Sequence, residues 1–130
     1  MPCRNANPML HAQIGVVRQS GRFRPNGSSA VDATLKKGIG YTPSRSDVGK
    51  FLITLDEVGV EMISCGAHLM QANAGVGDQE IRVGTYDASA KTLTLYNWDI
   101  SGAAAADLAS DADTWICWWI DFQNTTKAVG

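Results

Sequence analysis

The pattern of apolar and polar residues along the chain predicts short β-strands separated by turns. The strongest run extends from Asp113 to Asn124 and contains three of the four tryptophans. In a strand its side chains alternate between two faces. One face carries Ile116, Trp118, Ile120 and Phe122, and the other carries Trp115, Cys117, Trp119 and Asp121. Because both faces are largely apolar, we predict a central strand whose second face meets another layer or another subunit.

Six further segments have the alternation or composition of strands: Ile14 to Arg24, Leu35 to Thr42, Gly49 to Leu55, Val60 to Ala72, Glu80 to Tyr86 and Thr92 to Trp98. A bulge is expected in the first of them at Ser20-Gly21, and residues 43–47 are expected to form a hairpin loop. The alanine-rich segment from Ser101 to Ala112 is expected to be a long crossover loop, with Leu108 inserted into the core. Seven short strands without a convincing amphipathic helix predict an all-β fold, a two-sheet β-sandwich that is jelly-roll-like.

The chain of 130 residues is long enough for one domain of ordinary size. We expect an extended N-terminal arm over residues 1–13, a β-sandwich domain over residues 14–124 and a polar C-terminal tail over residues 125–130. The arm contains two prolines, and its residues Met9 and Leu10 could anchor it to another surface. A frayed terminus is the alternative.

Charges are few and unevenly placed. Residues 1–50 contain eight Lys or Arg against two acidic residues, whereas residues 51–130 contain three against eleven. The two halves can interleave in the fold, or a basic N-terminal segment can dock on an acidic neighbour. Three cysteines do not indicate a disulfide framework, and we find neither an apolar signal core nor a membrane-length apolar run. These features predict synthesis in a reducing compartment and no contact with a membrane.

Residue spacing gives little support for catalysis. Cys65 and His68 have C-x-x-H spacing, but on a strand they point to opposite faces, and no second pair completes a metal site. We therefore expect neither an enzyme nor a cofactor. Arg18, Arg22 and Arg24 share one strand face if the register is unbroken. The acidic balance of the chain argues against direct nucleic-acid binding, so a docking or inter-subunit ion pair, or a solvated face, is the preferred interpretation.

Three stretches resemble small virion proteins of tailed bacteriophages: Gly21 to Ser29 (Gly-Arg-Phe-Arg-Pro-Asn-Gly-Ser-Ser), the hairpin from Val83 to Leu95, and the ending from Asp107 to Thr125. In character the chain is most similar to capsid decoration, or cement, proteins. These are non-enzymatic proteins that bind the outside of the head shell, commonly as trimers, and clamp neighbouring capsomers against internal DNA pressure.

The resemblance implies a virion protein made in the host cytoplasm and located on the outer capsid surface. Its implied partners are the major capsid protein and further copies of itself in a homotrimer. Trp115, Cys117 and Trp119 would form the subunit interface. Arg18, Arg22 and Arg24, with Met9 and Leu10, would dock on the capsid. The alternative is a carbohydrate- or receptor-binding module of a phage tail or head fibre, with the tryptophans and Tyr96 as a stacking platform.

Overall fold

A computed structural model describes residues 15–71, 78–110 and 112–123 of the chain. The described part contains eight β-strands and one turn of 3-10 helix at Ala33–Leu35. The strands are β1 Val16–Phe23, β2 Tyr41–Asp47, β3 Lys50–Leu55, β4 Glu61–Met70, β5 Gln79–Asp87, β6 Thr92–Asp99, β7 Ala104–Ala105 and β8 Trp115–Gln123. The predicted arm (residues 1–13, with Met9 and Leu10) and tail (residues 125–130) lie outside the described residues.

The strands form two antiparallel sheets that pack against each other, so the predicted all-β sandwich is confirmed. Sheet A has the order β1-β8-β4, and sheet B has the order β2-β3-β6-β5 with the short β7 added to β6. The tryptophan-rich strand β8 is the central strand of sheet A, as its two apolar faces predicted. The jelly-roll topology is not confirmed.

Aromatic side chains join the two sheets across the core. The inward face of β8 is almost fully buried, with Trp118 2% exposed and Ile116 and Ile120 0% exposed. Three aromatic pairs span the sandwich: Phe23 with Phe51, Tyr41 with Trp118, and Tyr86 with Phe122, at centroid distances of 5.5, 4.8 and 5.7 Å. At ~25 cal/mol per Å², burying a tryptophan of ~200 Å² contributes about 5 kcal/mol before entropic costs.

The strand predicted over Leu35 to Thr42 and the hairpin loop predicted over residues 43–47 are wrong. Gly38 and Gly40 have φ values of +101° and +84°, which no regular strand contains, so the chain turns there. The strand begins at Tyr41 and runs through Pro43 to Asp47. Proline is accommodated because β2 is an edge strand of sheet B, where a missing backbone N–H need not break a ladder bond.

The bulge predicted at Ser20-Gly21 is also wrong, since β1 pairs with β8 in unbroken register from Val16 to Phe23. Gly21 instead leaves space for the ring of Tyr41, which a Cβ atom would approach to 2.5 Å. Register shifts occur in other strands, for example between Met62 and Ser64 of β4.

The crossover segment before β8 is held against sheet B by a few specific contacts. Leu108 is 5% exposed, which confirms its predicted insertion into the core. Beside it, the carboxylate of Asp107 accepts two hydrogen bonds from the Arg45 guanidinium and one from the backbone N–H of Gly49, each of 2.9 Å. These bonds connect the crossover segment to the β2–β3 hairpin and so set the point from which the chain enters β8.

Candidate docking face

The outer face of sheet A, on the side away from sheet B, gathers the residues that the sequence singled out. The register of β1, β8 and β4 places these side chains together: Arg18, Ser20, Arg22, Trp115, Cys117, Trp119, Asp121, Ser64, Gly66, His68 and Met70. Within the described chain no further layer of strands packs on this face, so Trp115 and Trp119 stay half-buried. The described residues therefore do not cover the second apolar face of β8.

Each of these two indole rings is covered by an arginine from β1. The guanidinium carbon of Arg18 lies 4.6 Å from the centroid of Trp119, and that of Arg22 lies 4.3 Å from the centroid of Trp115. Both pairs follow from the same spacing, because the arginines and the tryptophans are each four residues apart on neighbouring antiparallel strands. Stacking on the ring restrains each guanidinium while leaving its edge, which carries the hydrogen-bond donors, accessible.

Trp119 also lies across Gly66 of β4. A Cβ atom at Gly66 would come within 2.6 Å of the indole. The ring therefore fits between the backbone of β4 and the Arg18 guanidinium, and a glycine at position 66 is what permits this placement.

Arg18 and Asp121 form a bidentate ion pair on this face, with N–O distances of 2.8 and 2.9 Å. The hydrogen bonds from Arg18 hold the pKa of the Asp121 carboxyl below its usual range. Together with Arg45–Asp107, this pair joins the basic first part of the chain to the acidic second part. The basic and acidic halves of the chain therefore interleave in part, which is the first of the two alternatives considered in the sequence analysis.

A shallow, open depression of about 470 Å³ lies beside the Arg–Trp pairs. Its lining is Arg18, Ser20, Gly21, Arg22, Lys37, Gly38, His68, Cys117, Trp118 and Trp119. Lys37 reaches it from the loop before β2, since residues 22 and 37 form an isolated antiparallel bridge. Arg22 and Lys37 have no carboxylate within ion-pair distance in the described chain.

Cys117 and His68 face each other directly across the β8–β4 ladder, in the floor of the depression. Burial raises the pKa of the Cys117 thiol, and the smaller effect of the Arg22 charge lowers it. The thiol is therefore protonated at neutral pH, and the pair does not supply an activated nucleophile. Cys65 pairs with Ile120 on the inward face, so it points away from His68 as the spacing predicted.

The predicted site residues differ in where the fold places them. Trp115, Cys117 and Trp119 share one surface with Arg18 and Arg22, although the sequence assigned the two groups to different interfaces. Arg24 lies just beyond the end of β1.

Sequence reasoning missed the contribution of Lys37 and His68 to this face, because a loop bridge and the register of β4 bring them there. The equal four-residue spacing of Arg18/Arg22 and Trp115/Trp119 was the available signal for the stacked pairs.

Comparison with known protein families, curated proteins and solved structures finds no match. In the described ranges, no three His, Cys, Asp or Glu side chains converge in a way that could hold a metal ion. None of the helical structure described there is long and apolar enough to cross a membrane.

Proposed function

We propose that the chain is a non-enzymatic virion structural protein, a capsid decoration or cement protein. It binds the outer head shell as an oligomer, a homotrimer by the resemblance, and stabilises the contacts between capsomers. The observation that supports this proposal most directly is the outer face of sheet A, which no other part of the described chain covers and where two half-buried indoles and two stacked arginines lie beside an open depression. Aromatic residues and arginine are enriched at protein–protein interfaces and dominate their energetics.

The proposed roles are adjusted to the geometry. The sequence separated a subunit interface at Trp115, Cys117 and Trp119 from a capsid-docking set at Arg18, Arg22 and Arg24. Because Arg18 and Arg22 lie on the indoles themselves, the two groups act as one docking face in this proposal. The same face binds the major capsid protein, and subunits associate through other surfaces.

The experiment adds the purified protein to undecorated heads and measures bound protein by sedimentation and shell survival on heating, together with the solution mass of the free protein. We expect an oligomer that binds heads and raises their heat resistance. Ser20→Glu tests whether the outer face of sheet A binds heads. Ser20 is exposed on that face, and a carboxylate at this position would form ion pairs with the neighbouring arginines and compete with the partner for them. Thr54→Glu is the matched control, since Thr54 is exposed on sheet B. A monomer that leaves heads as fragile as before contradicts the proposal, as does equal loss of binding in both variants.

A carbohydrate- or receptor-binding module of a phage tail or head fibre is the second candidate. The depression beside Trp119 favours it, because sugar sites combine aromatic rings with a few polar groups. The stacked Arg18 weighs against it, since a sugar ring would have to displace the guanidinium to reach the indole. Quenching of tryptophan fluorescence by a glycan, together with no binding to heads, would favour this second candidate over the first.

A further inference from the structure

Arg22 and Lys37 lie opposite each other in a backbone bridge at the edge of the depression, and within the described ranges neither has a carboxylate at ion-pair distance. Arg22 and Lys37 exchange both backbone hydrogen bonds, with N–O distances of 3.1 and 2.8 Å. In such a pair the Cα atoms are about 5.5 Å apart and the side chains lie on the same side of the ladder. Like charges placed directly opposite each other destabilise a sheet. The bridge therefore brings two like charges to the same part of the surface, an arrangement that an anion would stabilise.

Both backbones in this bridge are held firmly. The hydroxyl of Tyr41 lies 2.8 and 2.7 Å from the carbonyl oxygens of Arg22 and Lys37, which share its one proton. The Arg22 guanidinium is further restrained by its stacking on Trp115. The two backbones and the Arg22 guanidinium are thus held before any ligand arrives, which lowers the entropic cost of binding.

An exposed isoleucine lies two residues beyond Lys37. Ile39 is 93% exposed, the highest exposure of any large apolar side chain in the described chain, and it is flanked by Gly38 and Gly40. A phosphate ion or an acidic sugar would use the cations and leave Ile39 in water. A protein surface can supply both a carboxylate for the cations and an apolar contact for Ile39.

Other polyanions fit the surface less well. Nucleic acid is held by many phosphate contacts, whereas Arg18 is already paired with Asp121, which leaves Arg22 and Lys37 as the cations of this depression that can meet an anion. Charge complementarity therefore favours an acidic polypeptide segment as the occupant.

We propose that Arg22 and Lys37 together bind a carboxylate on an acidic segment of a partner protein, with Ile39 in apolar contact beside it. The inference deepens the proposed function, on which it rests for the view that the outer face of sheet A docks on the shell. It adds the chemistry of the partner: an aspartate or glutamate next to an apolar surface.

The first experiment titrates the full chain with a synthetic decapeptide of alternating glutamate and leucine and follows tryptophan fluorescence, because Trp115 lies under Arg22. We expect saturable binding that weakens about tenfold in Arg22→Gln and in Lys37→Gln, as for loss of one partner of a charged contact. Lys50→Gln removes the same charge from sheet B, where Lys50 lies near Tyr96, and should bind as the wild type does. Equal weakening in all three variants would show nonspecific attraction and overturn the proposal.

A thermal measurement separates binding from folding. Lys37→Gln removes one of two facing like charges, so it should melt at the same temperature as the wild type or higher. The peptide should raise the melting temperature of the wild type more than that of Lys37→Gln. If Lys37→Gln melts well below the wild type, Lys37 is a structural residue and the proposal fails.

Two further outcomes identify a different occupant. If a sulfated glycan or inorganic phosphate binds through Arg22 and Lys37 while the peptide does not, the acidic-polypeptide proposal is overturned. If the protein self-associates and Lys37→Gln abolishes this, the occupant is a second copy of the chain and the proposal of a separate partner is overturned.

The head assay distinguishes this inference from the function on which it rests. If the Arg22→Gln and Lys37→Gln variants stabilise heads as well as the wild type does, the docking function stands and the carboxylate site is wrong. If the peptide binds as expected but the wild type leaves heads unprotected, the carboxylate site stands and the decoration function is wrong.

Discussion

Arginine and tryptophan side chains meet in pairs on both outer faces of the sandwich. Arg18 and Arg22 cover Trp119 and Trp115 on sheet A, and Arg82 lies 4.7 Å from the ring of Trp98 on sheet B. Each such contact at an exposed site contributes on the order of 0.5–1 kcal/mol. Three of the four tryptophans are used in this way, and only Trp118 belongs to the core. An abundance of tryptophan therefore does not by itself indicate a sugar platform in this chain.

Tyr41 adds a side-chain contact to the backbone bridge that joins the loop carrying Lys37 to β1. Tyr41→Phe removes the hydroxyl proton that the carbonyl oxygens of Arg22 and Lys37 share, and we expect the free energy of unfolding to fall by about 1 kcal/mol. Tyr86→Phe is the control, because the Tyr86 hydroxyl makes no hydrogen bond within the described chain, and its stability should be nearly unchanged. Urea unfolding followed by fluorescence measures both, and equal stability of Tyr41→Phe and wild type would contradict this role.

Asp107 should make stability depend on pH. Hydrogen bonds from Arg45, and a smaller contribution from the Gly49 N–H, hold the pKa of its carboxyl below the usual value. A carboxyl with a lowered pKa in the folded state contributes its full stability above its ordinary unfolded pKa, about 3.9, and loses it as the pH falls through the folded value.

Asp107→Asn should therefore melt below the wild type at pH 7, and the difference should shrink as the pH falls below about 4. Thermal melts between pH 7 and pH 2 measure this. The exposed Asp56→Asn is the control and should melt as the wild type does at pH 7. A difference between Asp107→Asn and wild type that stays constant down to pH 2 would exclude this carboxylate as its source.

At the scale of elements, the sequence predicts what depends on side-chain alternation. The central position of β8 follows from its two apolar faces, and the β5–β6 hairpin follows from two alternating runs around a turn. The prediction for residues 35–47 was wrong. Leu35 to Thr42 is apolar enough for a strand, but the φ angles of Gly38 and Gly40 and the edge position of Pro43 depend on tertiary packing, which the local sequence does not show. The bridge between Arg22 and Lys37 joins residues from a strand and a loop, so no local pattern could predict it.

Sheet A depends on a close contact between its two outer strands and the ring of Trp119. In Gly66→Ala the new Cβ would lie within 2.6 Å of that ring, so the indole must move away from β4 and from Arg18. We expect a loss of about 1–3 kcal/mol in stability, typical of overpacking, and a red shift of tryptophan emission. Ser64→Ala on the same strand should change neither quantity, since the Ser64 hydroxyl makes only a 3.3 Å contact to Asp121. Emission that is unchanged in Gly66→Ala would mean that Trp119 does not lie across this glycine.

At the scale of the whole molecule, the sandwich separates a packed interior from two unlike outer faces. Sheet A presents an open depression beside Arg22 and Lys37, which have no carboxylate at ion-pair distance among the described residues, and its edge continues into the loop that exposes Ile39. On sheet B, Arg82 is paired with Glu80. In the proposed function, a partner approaches from the side of sheet A that carries this depression.

A substitution at Ile39 tests whether the partner approaches from the side of sheet A, and it leaves the fold intact. Ile39→Asp changes a side chain that is 93% exposed, so stability should stay within about 0.5 kcal/mol of the wild type. If Ile39 contacts the partner, the aspartate loses the apolar contact and repels an acidic surface, and binding to heads should weaken at least about tenfold. Ile100→Asp is the matched control, because Ile100 is 52% exposed and follows β6 of sheet B. Co-sedimentation with heads measures both variants. Equal binding by Ile39→Asp and Ile100→Asp would show that the partner does not approach from the side of sheet A that carries this loop.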